Sequence, residues 1–109
     1  MVILAIVGAT GAVGLEAIDL LNERDTYFDN LLLFASESSV GKKFTINDKE
    51  YIVQQYTSPR QFVDVDYAIL ATSSDISKEI VNGNIGEKCK FIDNSSAFSK
   101  HTKHVIFNY

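Results

Sequence analysis

Short uncharged apolar runs alternate along the chain with stretches in which apolar residues recur at helical spacing. Residues 2–7 (Val-Ile-Leu-Ala-Ile-Val), 31–35 (Leu-Leu-Leu-Phe-Ala) and 67–71 (Tyr-Ala-Ile-Leu-Ala) are too short for core helices and carry no charge. Such runs fit strands buried on both faces of a parallel sheet. Lys90-Phe91-Ile92 is read as a fourth strand. After the first run, Val13, Ala17, Ile18, Leu20 and Leu21 fall on one face of a predicted helix, with Glu16, Asp19, Asn22 and Glu23 on the other. A second helix is predicted through Ile76, Ile80 and Val81, capped by Ser74 or Asp75 and ended by Gly83 and Gly86.

Residues 43–55 change period. Phe44 and Ile46, then Tyr51 and Val53, alternate with polar residues across an Asn47-Asp48 turn. That pattern predicts a hairpin with one covered face, which caps a sheet edge and need not touch a ligand. Ser58-Pro59 opens a turn or short helix, with Pro at its first position. Residues 101–104 read as a polar link, and Val105-Ile106-Phe107 as the start of another strand.

The most informative stretch joins the first strand to the first helix: Gly8-Ala9-Thr10-Gly11-Ala12-Val13-Gly14. Strand, glycine loop and helix together form the context in which such a loop cradles a phosphate. Gly8 permits the tight turn, Gly11 lets the backbone approach a pyrophosphate, and Gly14 lets the helix pack on the sheet. The N–H groups opening the helix would face the anion. Each predicted parallel strand ends in a small or polar loop: residues 8–14, 36–39, 72–75 and 94–96. In an open α/β sheet those loops share the carboxyl edge, where ligands bind. The expected fold is therefore a single α/β domain over residues 1–109. It is Rossmann-like and three-layered, with a mainly parallel sheet and an inserted β-hairpin.

Composition narrows the partners. A hydrophobic content of 46 % over 109 residues supports a real core. The net charge of −4 disfavours nucleic acid and anionic membrane, so an anion site must come from local geometry. No apolar run approaches the roughly 18 residues of a membrane span. The first run lacks the basic flank of a signal peptide. One cysteine excludes an internal disulfide and fits a cytoplasmic setting.

The stretches Ala5-Ile6-Val7-Gly8-Ala9-Thr10-Gly11-Ala12-Val13-Gly14, Ala35-Ser36 through Gly41-Lys42-Lys43, Ser77-Lys78-Glu79 and Ile92-Asp93-Asn94-Ser95-Ser96-Ala97-Phe98 resemble the N-terminal nucleotide-binding domain of aspartate-β-semialdehyde dehydrogenases. The last stretch is the most specific. The resemblance covers nearly all of the chain. It implies NADP as cofactor and the reductive dephosphorylation of aspartyl phosphate to aspartate semialdehyde, on the path to lysine, methionine and threonine. It also implies a homodimer formed through a further domain. By the same resemblance, Thr10, Gly11, Ala12 and Val13 hold the pyrophosphate. Ser38 and Ser39, beside Ser36, fall at the 2′-phosphate. Ala71, Thr72 and Ser73, with Asn94, Ser95 and Ser96, line the nicotinamide side.

The chain departs from the family pattern in three places. The Asn-Cys motif carrying the catalytic cysteine is absent, and Ser99 and Ser38 stand where arginines are usual. The chain is expected to be a fragment, an excised domain or a diverged stand-alone copy, binding cofactor without turnover and holding no catalytic residue or metal. Cys89 precedes the fourth strand, on the edge opposite the polar loops, and reads as a small buried residue. Asp93 is expected to shape the following turn rather than act as a base. His101 and His104 lack companions at metal-ligand spacing. Lys42 and Lys43 read either as reaching a nucleotide phosphate or as a solvated strand start. Ser36, Ser38, Ser39 and Lys42 can donate to a 2′-phosphate, while Glu37 resembles an acid that binds ribose in NAD enzymes. Glu37 is expected to turn outward, leaving NADP preferred over NAD by about tenfold. Two other readings stay open: a stand-alone nucleotide-binding or regulatory module, and the corresponding domain of an N-acetyl-γ-glutamyl-phosphate reductase.

Overall fold

The computed structural model describes residues 2–24, 28–85 and 87–93. Its elements run in the order β1 (Ile3–Val7), α1 (Ala12–Arg24), β2 (Asn30–Ala35), a 3₁₀ turn (Glu37–Ser39), β3 (Lys43–Ile46), β4 (Lys49–Gln55), a second 3₁₀ turn (Pro59–Phe62), β5 (Tyr67–Leu70), α2 (Ser74–Gly83) and β6 (Lys90–Asp93). The strands form one sheet in the order β3-β4-β2-β1-β5-β6. All neighbours are parallel except the β3/β4 hairpin. The α/β, three-layer, Rossmann-like reading holds.

Alternation along the central strands sends side chains to two cores. Ile6, Leu31, Leu33 and Ala35 pack with Ala17, Ile18 and Leu21 of α1, and with Ile46 and Val53 of the hairpin. Ala5, Val7, Phe34, Ala68 and Leu70 pack with Phe62 and Ile80 on the other face. Phe62 is fully buried and meets Phe34 at a centroid distance of 5.1 Å. The sheet is thus covered by α1 on one side and by α2 with the Pro59–Phe62 turn on the other. Ser58 and Gln61 close a capping box on that turn, and Asn84 donates to the Pro59 and Ile80 carbonyls, tying the turn to α2.

Three expectations need correction. Val13 and Leu20 do not face the sheet; each is 44 % exposed. The buried stripe of α1 is narrower: Ala17, Ile18 and Leu21 pack on the sheet, while Gly14 lies against the Gly8 and Ala9 backbone of the glycine loop. The cap of α2 is Ser73, whose hydroxyl accepts from the Ile76 N–H at 3.4 Å, rather than Ser74 or Asp75. The hairpin does more than cap an edge. Its turn is as read, with Asn47 and Asp48 both at positive φ (52° and 69°), as a tight hairpin requires. Its second strand, however, joins the main sheet: β4 runs parallel to β2, with Leu33 opposite Val53 and Ala35 opposite Gln55. A fifth strand end therefore reaches the carboxyl edge.

The amino edge is closed. The Asp66 carboxylate accepts from the Ile3 N–H at 2.8 Å and lies 3.5 Å from Lys88 Nζ. The Asp66 backbone donates to Ile3 and accepts from Lys90, bracing β1 and β6. Asp29 accepts from the Val2 N–H.

Candidate nucleotide-binding site

The carboxyl ends of β1, β2, β4 and β5 surround a cavity of about 400 Å³, within the usual range for small-molecule pockets. Val7, Gly8 and Thr10 line it from β1 and the glycine loop; Ala35, Ser36 and Glu37 from the end of β2. Gln55 and Tyr56 enter from β4, Thr72 from the loop after β5, and Ile76 from α2.

The glycine loop is wedged between two strand ends. The Gly8 and Ala9 N–H groups both donate to the Phe34 carbonyl, at 2.8 and 3.1 Å. Gly8 has φ +84°, and a Cβ there would lie 2.2 Å from the Ala71 carbonyl oxygen. A Cβ on Gly14 would lie 2.1 Å from the Gly8 carbonyl oxygen. Both positions are therefore closed to side chains by the protein's own backbone.

Gly11 is different. It is exposed, its φ is not positive, and a Cβ would meet only the Gly8 carbonyl oxygen at an ordinary 3.5 Å. The fold does not require glycine there. The first α1 bond runs from the Leu15 N–H to the Gly11 carbonyl at 2.8 Å, so Gly11 caps the helix without a side chain. The N–H groups of Ala12, Val13 and Gly14 open the helix with no intrahelical acceptor. An anion approaching this turn meets those donors and the positive end of α1.

The other predicted residues divide. Gly8, Thr10, Ser36 and Thr72 line the cavity. Ser39 is 8 % exposed, and its hydroxyl pairs with that of Thr10 at 2.9 Å, tying the β2 loop to the glycine loop. Ser36 and Ser38 pair through their hydroxyls at 3.1 Å. Ala71 donates from its N–H to the Val7 carbonyl, and Ser73 is engaged as the α2 cap. Glu37 is exposed but lies in the cavity lining, which narrows the expectation that it turns away. Asn94, Ser95, Ser96, Ser99, His101 and His104, with the strand predicted at 105–107, lie outside the described residues.

Gln55, Tyr56 and Ile76 were not anticipated. The Tyr56 N–H donates to the Ala35 carbonyl at 3.1 Å, and its hydroxyl donates to the Glu79 carboxylate on α2. Burial, then that hydrogen bond, then the Glu79 charge, raise the phenol pKa far above its ordinary value. Tyr56 stays a protonated donor. The signal available in sequence was the position after a strand end, hidden while the hairpin was read as an edge cap.

Cys89 is 7 % exposed and precedes β6 at the amino edge. Burial first, then the nearby Asp66 charge, push its thiol up to about 12. A nucleophilic cysteine needs the opposite shift. Among the described residues there is no His/Cys/Asp/Glu cluster suited to a metal ion, and no helix long and apolar enough to cross a membrane.

The family model described as semialdehyde dehydrogenase, NAD binding domain, matches residues 3–107. The chain belongs to this family. Aspartate-semialdehyde dehydrogenase of Aquifex aeolicus is 40 % identical over 94 residues, which span 86 % of this chain and 28 % of that relative. The Bacillus subtilis enzyme of the same name is 36 % identical, over 86 % of this chain and 27 % of its own length. Aspartate semialdehyde dehydrogenase II of Vibrio cholerae, solved in complex with ASA, superposes with a TM-score of 0.76. It is 35 % identical and covers 88 % of this chain and 31 % of that one. The chain thus spans less than a third of these relatives.

Proposed function

We propose that this chain is the cofactor-binding part of an aspartate-semialdehyde dehydrogenase, which reduces L-aspartyl 4-phosphate to L-aspartate 4-semialdehyde with NADP as the cofactor couple. The observation that carries the reading is the contrast within the glycine loop. Gly8 and Gly14 are demanded by the fold, whereas Gly11 is not, and Gly11 stands where a pyrophosphate would approach. The cofactor would supply or accept hydride when bound. The chain's own residues would hold its pyrophosphate at residues 10–13, its adenosine ribose beside residues 36–39, and its nicotinamide side beside residues 71–73 and 94–96. The NADP assignment draws on the serines at residues 36, 38 and 39 and on the resemblance. An aspartate semialdehyde dehydrogenase from Candida albicans, solved with NADP, shares the fold at 21 % identity and a TM-score of 0.65.

The 109-residue chain by itself is expected to bind cofactor without turnover, because its one thiol is buried on the opposite edge. Titration calorimetry with NADP and NAD tests binding. A phosphate-dependent assay with aspartate semialdehyde and NADP tests chemistry. Measurable turnover lost in Cys89→Ser would contradict the assignment of that cysteine to the core.

A further inference from the structure

Tyr56 combines three features that no other described residue of the site shares. It follows β4, outboard of the β2 loop that faces the adenosine ribose in folds of this type. Its ring leans on Phe62, with centroids 6.3 Å apart and planes at 47°, while the residue also lines the cavity. Its hydroxyl is held by Glu79, three residues beyond Ile76 on the same face of α2. Ile76 lines the cavity too, so α2 presents an apolar side chain to the cavity and, one turn on, an anchor for the phenol. An aromatic ring fixed at one end and backed by Phe62 offers a flat, rigid apolar wall. A purine ring stacks well on such a wall, whichever hydrogen-bonding edge it presents.

We propose that Tyr56 is the wall against which the adenine ring of the dinucleotide packs, and that Glu79 positions it by holding the phenol. The assignment rests on the nucleotide-binding reading above. Tyr56 would touch the cofactor; Glu79 would act through Tyr56.

The test compares wild type with Tyr56→Leu, Tyr56→Phe and Glu79→Leu, titrated calorimetrically with NADP and with nicotinamide mononucleotide. Tyr56→Leu keeps apolar bulk over Phe62 but loses the flat ring. It should weaken NADP about tenfold while leaving the mononucleotide unchanged. Tyr56→Phe restores the ring without its anchor and should recover most of the affinity. Glu79→Leu should match Tyr56→Phe, and the double variant should be no weaker than either, because both remove one contact. In the wild-type complex, nuclear Overhauser effects should connect the Tyr56 ring protons to adenine H2 or H8, a signature that a purely structural tyrosine would not give. Should Tyr56→Leu fail to fold, that signature in wild type decides. Unchanged NADP affinity in folded Tyr56→Leu, an equal loss for both ligands, or absent Overhauser effects would overturn the proposal. A wild-type chain that binds neither ligand would remove the nucleotide reading as well, whereas one that binds NADP as tightly as Tyr56→Leu does would remove only this inference.

Discussion

The two edges of the sheet are built from the same strands yet treat backbone polarity in opposite ways. At the amino edge, Asp29 and Asp66 turn side chains onto the Val2 and Ile3 N–H groups, and Lys88 lies against Asp66. The single thiol is buried there and held neutral. At the carboxyl edge, the α1 N-terminus is capped by Gly11, which has no side chain, and Gly8 and Thr10 of the same loop line a cavity. Satisfied groups stabilise a fold; uncapped N–H groups at a helix N-terminus favour an anion. The difference supports the proposal that the carboxyl edge is the working one.

The sharpest way to break that comparison lies within one loop. Gly14→Ala places a methyl group 2.1 Å from the Gly8 carbonyl oxygen and 2.8 Å from the Ala9 Cα, all backbone. It should cost roughly 3 kcal/mol or more, enough to unfold a marginal domain, as read by thermal melting. Gly11→Val should leave the melting temperature within a few degrees, yet abolish dinucleotide binding in calorimetry, since its side chain fills the phosphate volume. Equal affinity in a folded Gly11→Val chain would remove the anion site from this turn.

The opposite edge gives the complementary result. Asp66→Ala leaves the Ile3 N–H without its acceptor and removes the Lys88 contact. A loss of about 1–3 kcal/mol is expected, with cofactor affinity unchanged. A large fall in affinity would show that the two edges are coupled.

Cys89 sharpens the contrast through pH. Its thiol is raised from 9.0 to about 12 in the folded chain. Below pH 9 the thiol is neutral whether folded or unfolded, and its burial contribution is fully present. Above pH 9 the unfolded thiolate forms while the folded thiol does not, so stability falls between pH 9 and about 12. Urea melts of wild type and Cys89→Ala should converge as pH rises through that window. Iodoacetamide at pH 8 should alkylate the unfolded chain much faster than the native one.

What the sequence disclosed follows from how local each constraint is. Gly8 and Gly14 were legible because turn and close approach are set within seven residues. The Asn47-Asp48 turn was legible because left-handed backbone favours those residue types. The parallel pairing of β4 with β2 was not, because the alternation in residues 43–55 specifies a hairpin and says nothing about its neighbour. Gln55 and Tyr56 were lost with that pairing. The buried face of α1 was misread at Val13 and Leu20, since apolar spacing marks a face broader than the Ala17, Ile18 and Leu21 stripe that packs on the sheet. Ser73 was missed as a cap because Ser74 and Asp75, one and two positions later, are equally good capping residues.

Cofactor choice carries the smallest expected effect. A 2′-phosphate brings about two negative charges and needs donors or cations. At the end of β2 the cavity is lined by Ser36 and Glu37, and Ser38 pairs with Ser36. Ser39 is already engaged with Thr10. The Ser36–Ser38 pair, exposed and bonded through its hydroxyls, would turn them to the phosphate, against one carboxylate that would repel it. Solvent and salt screen that repulsion, because Glu37 is exposed. Calorimetric competition should favour 2′-phospho-AMP over AMP by about tenfold. Glu37→Gln should widen the preference by about threefold at low salt, and the gain should shrink as salt rises. If AMP binds as well as its 2′-phosphate, Glu37 dominates the ribose end and the domain is an NAD binder.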